Sequence, residues 1–243
     1  MLIDTHAHLD EFPDLNLVVE RAKASGVVAV VAVGQGKASN EKTLSLARSN
    51  EGYIFPALGI HPWEVDSDIE AVLSMIKRNL SGCVAIGEIG LDYWIKKDKE
   101  NQKTVLKGLL TLAAAGGKPV CVHTRGAWED AHRMVKESNV RRGVFHWYSG
   151  PLDVLRSLLD DGYFVSATPA TEYSKAHREA IRNTPLDSLL LETDSPVKYK
   201  GVEAEPAAVF KTLKFVAALK SLTEEVVSEK TTENAIKLFG LNL

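Results

Sequence analysis

Two hydrophobic periods take turns along this chain. Short runs rich in β-branched residues are apolar without a break; Val27–Val33 is the clearest of them. An unbroken apolar run of that length fits a strand buried on both faces. Between the runs lie longer stretches with apolar residues at helical spacing. In Leu15–Ser25 the residues Leu15, Val18, Val19 and Ala22 share one side, and Gly26 stops the helix. Read in this way, the chain predicts strands over Leu2–Thr5, Val27–Val33, Tyr53–Ile60, Cys83–Gly87, Pro119–Val122, Gly143–Phe145, Tyr163–Ala167 and Ser188–Glu192. It predicts helices over Leu15–Ser25, Ser39–Ser49, Asp66–Leu80, Lys99–Gly116, Trp128–Ser138, Leu152–Asp161, Ser174–Asn183, Pro206–Lys220 and Thr223–Phe239. Asp66 or Ser67 is the expected N-cap of the third helix.

Strands that alternate with helices imply a parallel sheet. Eight such units in 243 residues imply the α/β class and a closed (β/α)8 TIM barrel, a single domain spanning residues 1–243. An open doubly wound sheet would require a glycine-rich phosphate loop after the first strand. That place holds His6-Ala7-His8 instead.

Composition adds limits rather than a function. With 45% hydrophobic and 25% charged residues the chain has enough apolar surface for a sizeable core. A net charge of -3 provides no global field for nucleic acid, so any grip on it must be local to a site. The two cysteines, Cys83 and Cys121, lie in apolar runs and read as buried free thiols of a reducing compartment. No apolar stretch approaches membrane-spanning length, and no basic region followed by an apolar core opens the chain. The expectation is a cytoplasmic protein with no membrane association and no obligate protein partner.

The reactive residues are distributed unevenly. His6 and His8 share a face of the first strand, with Asp4 and Leu2 expected behind them. Of seven histidines, five (His6, His8, His61, His123 and His146) lie at the carboxyl ends of predicted strands, as do Glu88 and Asp194. In a barrel those ends converge on one mouth, where barrel active sites sit. His132 and His177 fall within predicted helices and read as surface or packing residues. Four imidazoles and two carboxylates are too many for one four-coordinate ion with an open position. They suit two divalent ions about 3.5–4 Å apart, a gap that a carboxylate can span. Glu88, between the two histidine groups, is the best bridge, and Asp194 could ligate one ion and also accept the proton of the attacking water. Mixed nitrogen and oxygen donors suit Zn, Mn, Co, Ni or Mg.

Five ordered motifs carry a resemblance. They are Asp4-Thr5-His6-Ala7-His8-Leu9-Asp10, Gly59-Ile60-His61-Pro62, Gly87-Glu88-Ile89-Gly90-Leu91-Asp92, Pro119-Val120-Cys121-Val122-His123-Thr124-Arg125 and Leu191-Glu192-Thr193-Asp194-Ser195-Pro196. With Thr232-Glu233-Asn234-Ala235 near the C-terminus, they resemble the TatD-like metal-dependent hydrolases of the amidohydrolase superfamily over nearly the whole chain. The resemblance implies that His6, His8 and Asp194 hold one ion, that His123 and His146 hold the other, and that Glu88 bridges. It also implies a deoxyribonuclease with a two-metal, metal-hydroxide mechanism, a 3′–5′ exonuclease on single-stranded DNA being the best expectation. Many amidohydrolases place a modified lysine where Glu88 stands, which favours phosphoester over amide chemistry here. Two segments at the mouth depart from the family pattern. One is Phe145–Gly150, where the family more often has a Cys-Phe pair after the histidine. The other is the short, charged stretch Val197–Glu205.

The expected mouth mixes aromatic and basic residues: Tyr93-Trp94-Ile95-Lys96-Lys97, Trp147-Tyr148 and Lys198-Tyr199-Lys200. Arg125 is the expected phosphate clamp and a catalytic partner of Asp194. His61 is a candidate substrate contact, and Glu192 a candidate partner for a ligand histidine. Two other functions fit fewer of these residues. One is a metal-dependent amide or ester hydrolase or deaminase acting on a small molecule. The other is a barrel that binds without catalysis.

Overall fold

The computed structural model describes residues 1–243. Eight parallel strands form one sheet in sequential order: β1 (Leu2–Ala7), β2 (Val27–Val33), β3 (Ile54–Ile60), β4 (Ala85–Asp92), β5 (Val120–Arg125), β6 (Gly143–Phe145), β7 (Phe164–Ala167) and β8 (Leu189–Leu191). Helices separate them: α1 (Leu15–Ala24), α2 (Lys37–Ser49), α3 (Ile69–Asn79), α4 (Lys99–Gly116), α5 (Trp128–Glu137), α6 (Leu152–Asp160) and α7 (Lys175–Asn183). Two more, α8 (Val209–Lys220) and α9 (Glu224–Phe239), follow β8. This is the (β/α)8 barrel that the alternation of periods predicts. No helix is long and apolar enough to cross a membrane.

The sheet closes on itself at the β1–β8 seam with little strand ladder. Asp194 N–H donates to the His6 carbonyl (2.9 Å) and His8 N–H to the Ser195 carbonyl (2.7 Å). Thr5 Oγ1 donates to the Leu191 carbonyl (3.0 Å). These bonds join residues from the two ends of the barrel's order.

The strands bury both faces, so they must be apolar on both. Ile3, Ala29, Val31, Val33, Ala57, Ala85, Cys121, Val144 and Leu190 form the inner set, closed at the amino end of the strands by Leu238, Phe239 and Leu241. Leu2, Val30, Ala32, Leu58, Ile86, Val120, Phe145 and Val165 turn outward to the helices. Leu2 therefore does not share the face of the histidines. Pairing irregularities between Leu2/Ile3 and Asp4/Ala7 break the simple alternation of β1.

Several local expectations shift. β4 is longer than predicted and runs past Glu88 to Asp92, because Gly90, Leu91 and Asp92 pair with His123, Thr124 and Arg125 of a likewise longer β5. A side chain at residue 90 would place its Cβ 1.9 Å from the His123 carbonyl oxygen, so only glycine lets the two strands approach there. The cap of α3 is Asp68, whose carboxylate accepts from Ala71 N–H, rather than Asp66 or Ser67. Pro206–Ala208 forms a single 3-10 turn ahead of α8. Both cysteines are free and buried, Cys83 lying just before β4.

Candidate metal centre

Strand ends bring the predicted site residues together around Glu88. Its Oε2 lies 3.3 Å from His6 Nε2 and 3.4 Å from His8 Nε2. Its Oε1 lies 2.9 Å from His123 Nδ1, 2.9 Å from His146 Nε2 and 3.4 Å from His61 Nε2. Asp194 Oδ1 closes the first group, 3.3 Å from His8 Nε2 and 3.6 Å from His6 Nε2. His6 and His146 stack across the centre with ring centroids 4.1 Å apart. One carboxylate thus faces two separate imidazole groups, one through each oxygen.

The electrostatics of this pocket call for positive charge. Burial alone would raise the pKa of Glu88, but the surrounding imidazoles of His61, His146 and His6, with the hydrogen bond to His123, hold it well below the usual carboxylate range. Asp194 is lowered in the same way against burial, through His8 and His6. Burial also opposes protonation of His8, yet the hydrogen bond to Asp194 and the charge of Glu88 raise its pKa to about 9. His146 is raised well above the ordinary value, burial being outweighed by Glu88 and Glu192. His61 goes the other way: burial lowers it to about 4 and leaves a neutral imidazole.

Three sets of donor atoms lie close enough together to hold a cation: His6, His8 and Asp194; His61, Glu88 and His123; and His6, His146 and Glu192. Both ring nitrogens of His6, and Nε2 of His123, are buried without a hydrogen-bond partner. Buried polar atoms are ordinarily paired. Unpaired imidazole nitrogens beside two ionised carboxylates are the donor chemistry of a divalent transition metal, so the residues fit such an ion.

Outer partners hold the donors in place. The His8 Nδ1 lies 3.0 Å from the Val33 carbonyl. Asp4, fully buried behind His6, accepts from Thr193 N–H (2.9 Å) and lies 2.6 Å from Thr193 Oγ1. Burial pushes the Asp4 pKa up to about 8. Glu192 Oε1 accepts from Trp147 N–H (3.0 Å) and lies within ion-pair range of His146 Nδ1, at 3.4 Å. Two residues of the centre have left-handed backbones: Asp194 (φ 50°) and Trp147 (φ 43°). Aspartate tolerates that conformation, whereas it strains a tryptophan.

The expected mouth is only partly confirmed. Tyr148 and Tyr199 are buried, with hydroxyls that donate to the Pro151 and Thr193 carbonyls, each at 2.7 Å. Trp94 is exposed, and Arg125 lies beside it, its guanidinium carbon 5.0 Å from the indole centre. His132 pairs with Asp161 at 2.8 Å and His177 is a buried packing residue, and neither belongs to a donor set. Sequence reasoning missed Trp63 and Asp92. Trp63 Nε1 donates to Asp92 Oδ2 (3.0 Å), and the same oxygen lies 3.6 Å from His123 Nε2. Position two residues beyond Gly90 on a continuing strand is the signal that could have found Asp92.

Known proteins resemble this chain along nearly its whole length. The sequence profile of a family described as TatD related DNase matches residues 3–240. A Bacillus subtilis (strain 168) protein described as uncharacterized metal-dependent hydrolase YabD is 35% identical over 257 residues, covering 100% of each chain. Human deoxyribonuclease TATDN3 is 33% identical, over 98% of this chain and 94% of that protein. Among solved structures, the Escherichia coli TatD homologue YjjV superposes with a TM-score of 0.92 at 27% identity, over 99% of this chain and 98% of that one.

Proposed function

This chain belongs to the TatD-related DNase family, and on that premise we propose that it removes nucleotides from the 3′ end of single-stranded DNA with two divalent ions. The coarser statement, a metal-dependent hydrolase acting on ester bonds, follows from the family and its relatives. The observation that carries the finer reading is the divided carboxylate of Glu88, with Oε2 toward His6 and His8 and Oε1 toward His123 and His146. We assign His6, His8 and Asp194 to one ion, His123 and His146 to the other, and Glu88 to both. Zn, Mn, Co, Ni and Mg all suit these donors. Residues 1–243 act as one catalytic unit.

When bound, such ions lower the pKa of water to about 7 in favourable cases and polarise a phosphoryl oxygen. The chain's own groups do the rest. Asp194 is ionised and stands at the edge of the His6–His8 group, so its carboxylate takes the proton of the attacking water. Arg125, 45% exposed at the end of β5, offers a guanidinium to the phosphodiester. His61, neutral and beside Glu88 Oε1, stands where it can meet a substrate oxygen. The partner is DNA gripped locally at the mouth, in keeping with a net charge of -3.

The test is nucleotide release from 5′-labelled single-stranded DNA, with added divalent metal, by the wild type and Asp194→Asn. The expected result is a ladder that shortens from the 3′ end and disappears in the variant. No release from a preparation shown to contain metal would move the assignment to hydrolysis of an amide or ester, or deamination, of a small molecule. A screen of lactones and cyclic amides would then identify it.

A further inference from the structure

Two exposed tryptophans are tied to one buried carboxylate beside the metal centre, Trp63 through its indole and Trp94 through its backbone. Asp92 is inaccessible to solvent, whereas Trp63 is 48% and Trp94 65% exposed. Asp92 Oδ2 accepts from Trp63 Nε1 and Oδ1 from the backbone N–H of Trp94, each at 3.0 Å. The backbone of Asp92 is itself fixed by the Gln102 amide, whose Oε1 accepts from Asp92 N–H (2.8 Å) and whose Nε2 donates to the Asp92 carbonyl (3.0 Å). A rigid carboxylate therefore anchors both aromatic residues.

The surroundings tell what these rings face. The Trp63 ring stands edge-on to His61, with centroids 4.9 Å apart. Trp94 lies against bare backbone at Gly126, where a Cβ would come within 2.4 Å of the indole nitrogen. Arg125 Nη1 is 3.8 Å from Asp92 Oδ2, and its guanidinium lies over Trp94. All of these groups sit at or just beyond the carboxyl ends of β3, β4 and β5, on the Oε1 side of Glu88. Large apolar rings held in water forgo the free energy of burial, and rings already held still lose little entropy when a ligand stacks on them. A guanidinium over one exposed indole, with a second exposed indole held on the neighbouring carboxylate, fits a ligand with an anion and a planar ring one sugar apart.

We propose that Trp63 and Trp94 form a stacking subsite for an unpaired nucleobase whose phosphate meets Arg125, with Asp92 as the positioning residue. This rests on the nuclease reading above and adds what would select a single strand. A base inside a duplex has both faces already stacked and its edge paired, so it cannot enter.

The experiment compares two single-stranded oligonucleotides of one sequence. The first is intact, and the second has abasic residues in place of its last two 3′ nucleotides. Stacking on an aromatic side chain is worth about 1–3 kcal/mol per base, so the wild type is expected to favour the intact end by about ten-fold or more in kcat/KM. Trp63→Ala and Trp94→Ala should bring that ratio toward one. Trp63→Phe keeps a ring but loses the N–H to Asp92, and should give an intermediate ratio. Asp92→Asn, at wild-type metal content, should lower the ratio as well, which a purely structural carboxylate would not do. A wild type that degrades both ends equally, or alanine variants that keep the wild-type ratio, would overturn the subsite while leaving the nuclease standing. A metal-loaded wild type inert toward both ends would overturn the nuclease reading itself.

Discussion

Replacing Glu192 with glutamine is expected to weaken metal binding by about 10- to 100-fold while leaving the fold in place. The carboxylate is fully buried, and its Oε1 serves two neighbours, Trp147 N–H at 3.0 Å and His146 Nδ1 at 3.4 Å. Glutamine keeps the volume and an acceptor oxygen. Trp147 N–H also has Ser166 Oγ at 3.1 Å, so it remains paired in either case. What disappears is the negative charge facing the outer nitrogen of His146. That charge makes the imidazole more basic and holds its Nε2 toward Glu88, 2.9 Å away. Partners of this kind are worth about 1.4–2.8 kcal/mol when the loss in affinity is converted at 1.4 kcal/mol per decade. The assay is competition for Zn²⁺ with a chromophoric chelator at fixed pH, alongside the melting temperature of the metal-free protein. Wild-type affinity in a normally folded Glu192→Gln protein would refute the reasoning. Glu192 would then be a structural acid that serves the Trp147 turn alone.

Three further outcomes follow from the geometry. Glu88→Ala should lose bound metal, measured by elemental analysis, together with hydrolysis; wild-type metal content and activity would remove its bridging role. Gly90→Ala must push β4 off β5 because the new Cβ meets the His123 carbonyl at 1.9 Å. It should sharply lower the melting temperature or the soluble yield, and a wild-type melting curve would refute that. Burial lowers the pKa of His177 to about 4, while its Nδ1 faces the Tyr148 carbonyl at 2.8 Å and its Nε2 accepts from Thr168 N–H at 3.1 Å. The unfolded chain, with a pKa of about 6.5, takes up that proton first as pH falls. Stability should therefore drop between about pH 6.5 and 4, by up to about 3 kcal/mol. Urea unfolding of the wild type and His177→Gln over that range checks it, since the variant should lack this share of the slope.

The barrel was legible because its strands are buried on both faces and must be apolar throughout, while its helices need only one apolar side. Glu88, His123 and His146 were legible because each follows directly on such a run, and Asp194 because it stands just beyond the Leu189–Leu191 run. Asp92 was not. Gly87 and Gly90 punctuate the sequence like a turn, but the backbone uses those positions for close approach to neighbouring strands and continues the strand. Trp63 follows His61-Pro62 and reads as part of a turn; only the folded chain shows its nitrogen on Asp92. Tyr148 and Tyr199 failed in the opposite direction. Both sit in mouth loops, yet their hydroxyls find buried carbonyls, so the rings pack inward. Sequence gives the loop a residue belongs to, but not the direction its side chain takes within it.

The seam between β1 and β8 also sets a timetable. His6 and His8 leave the ribosome long before Asp194, which follows 186 residues after His8. Until Thr193 reaches Asp4 and the Asp194 amide reaches the His6 carbonyl, the histidine pair lacks its acid. On the proposed assignment, a nascent chain therefore carries half a cutting edge that nothing can arm. Competence would then arrive together with closure of the last gap in the wall.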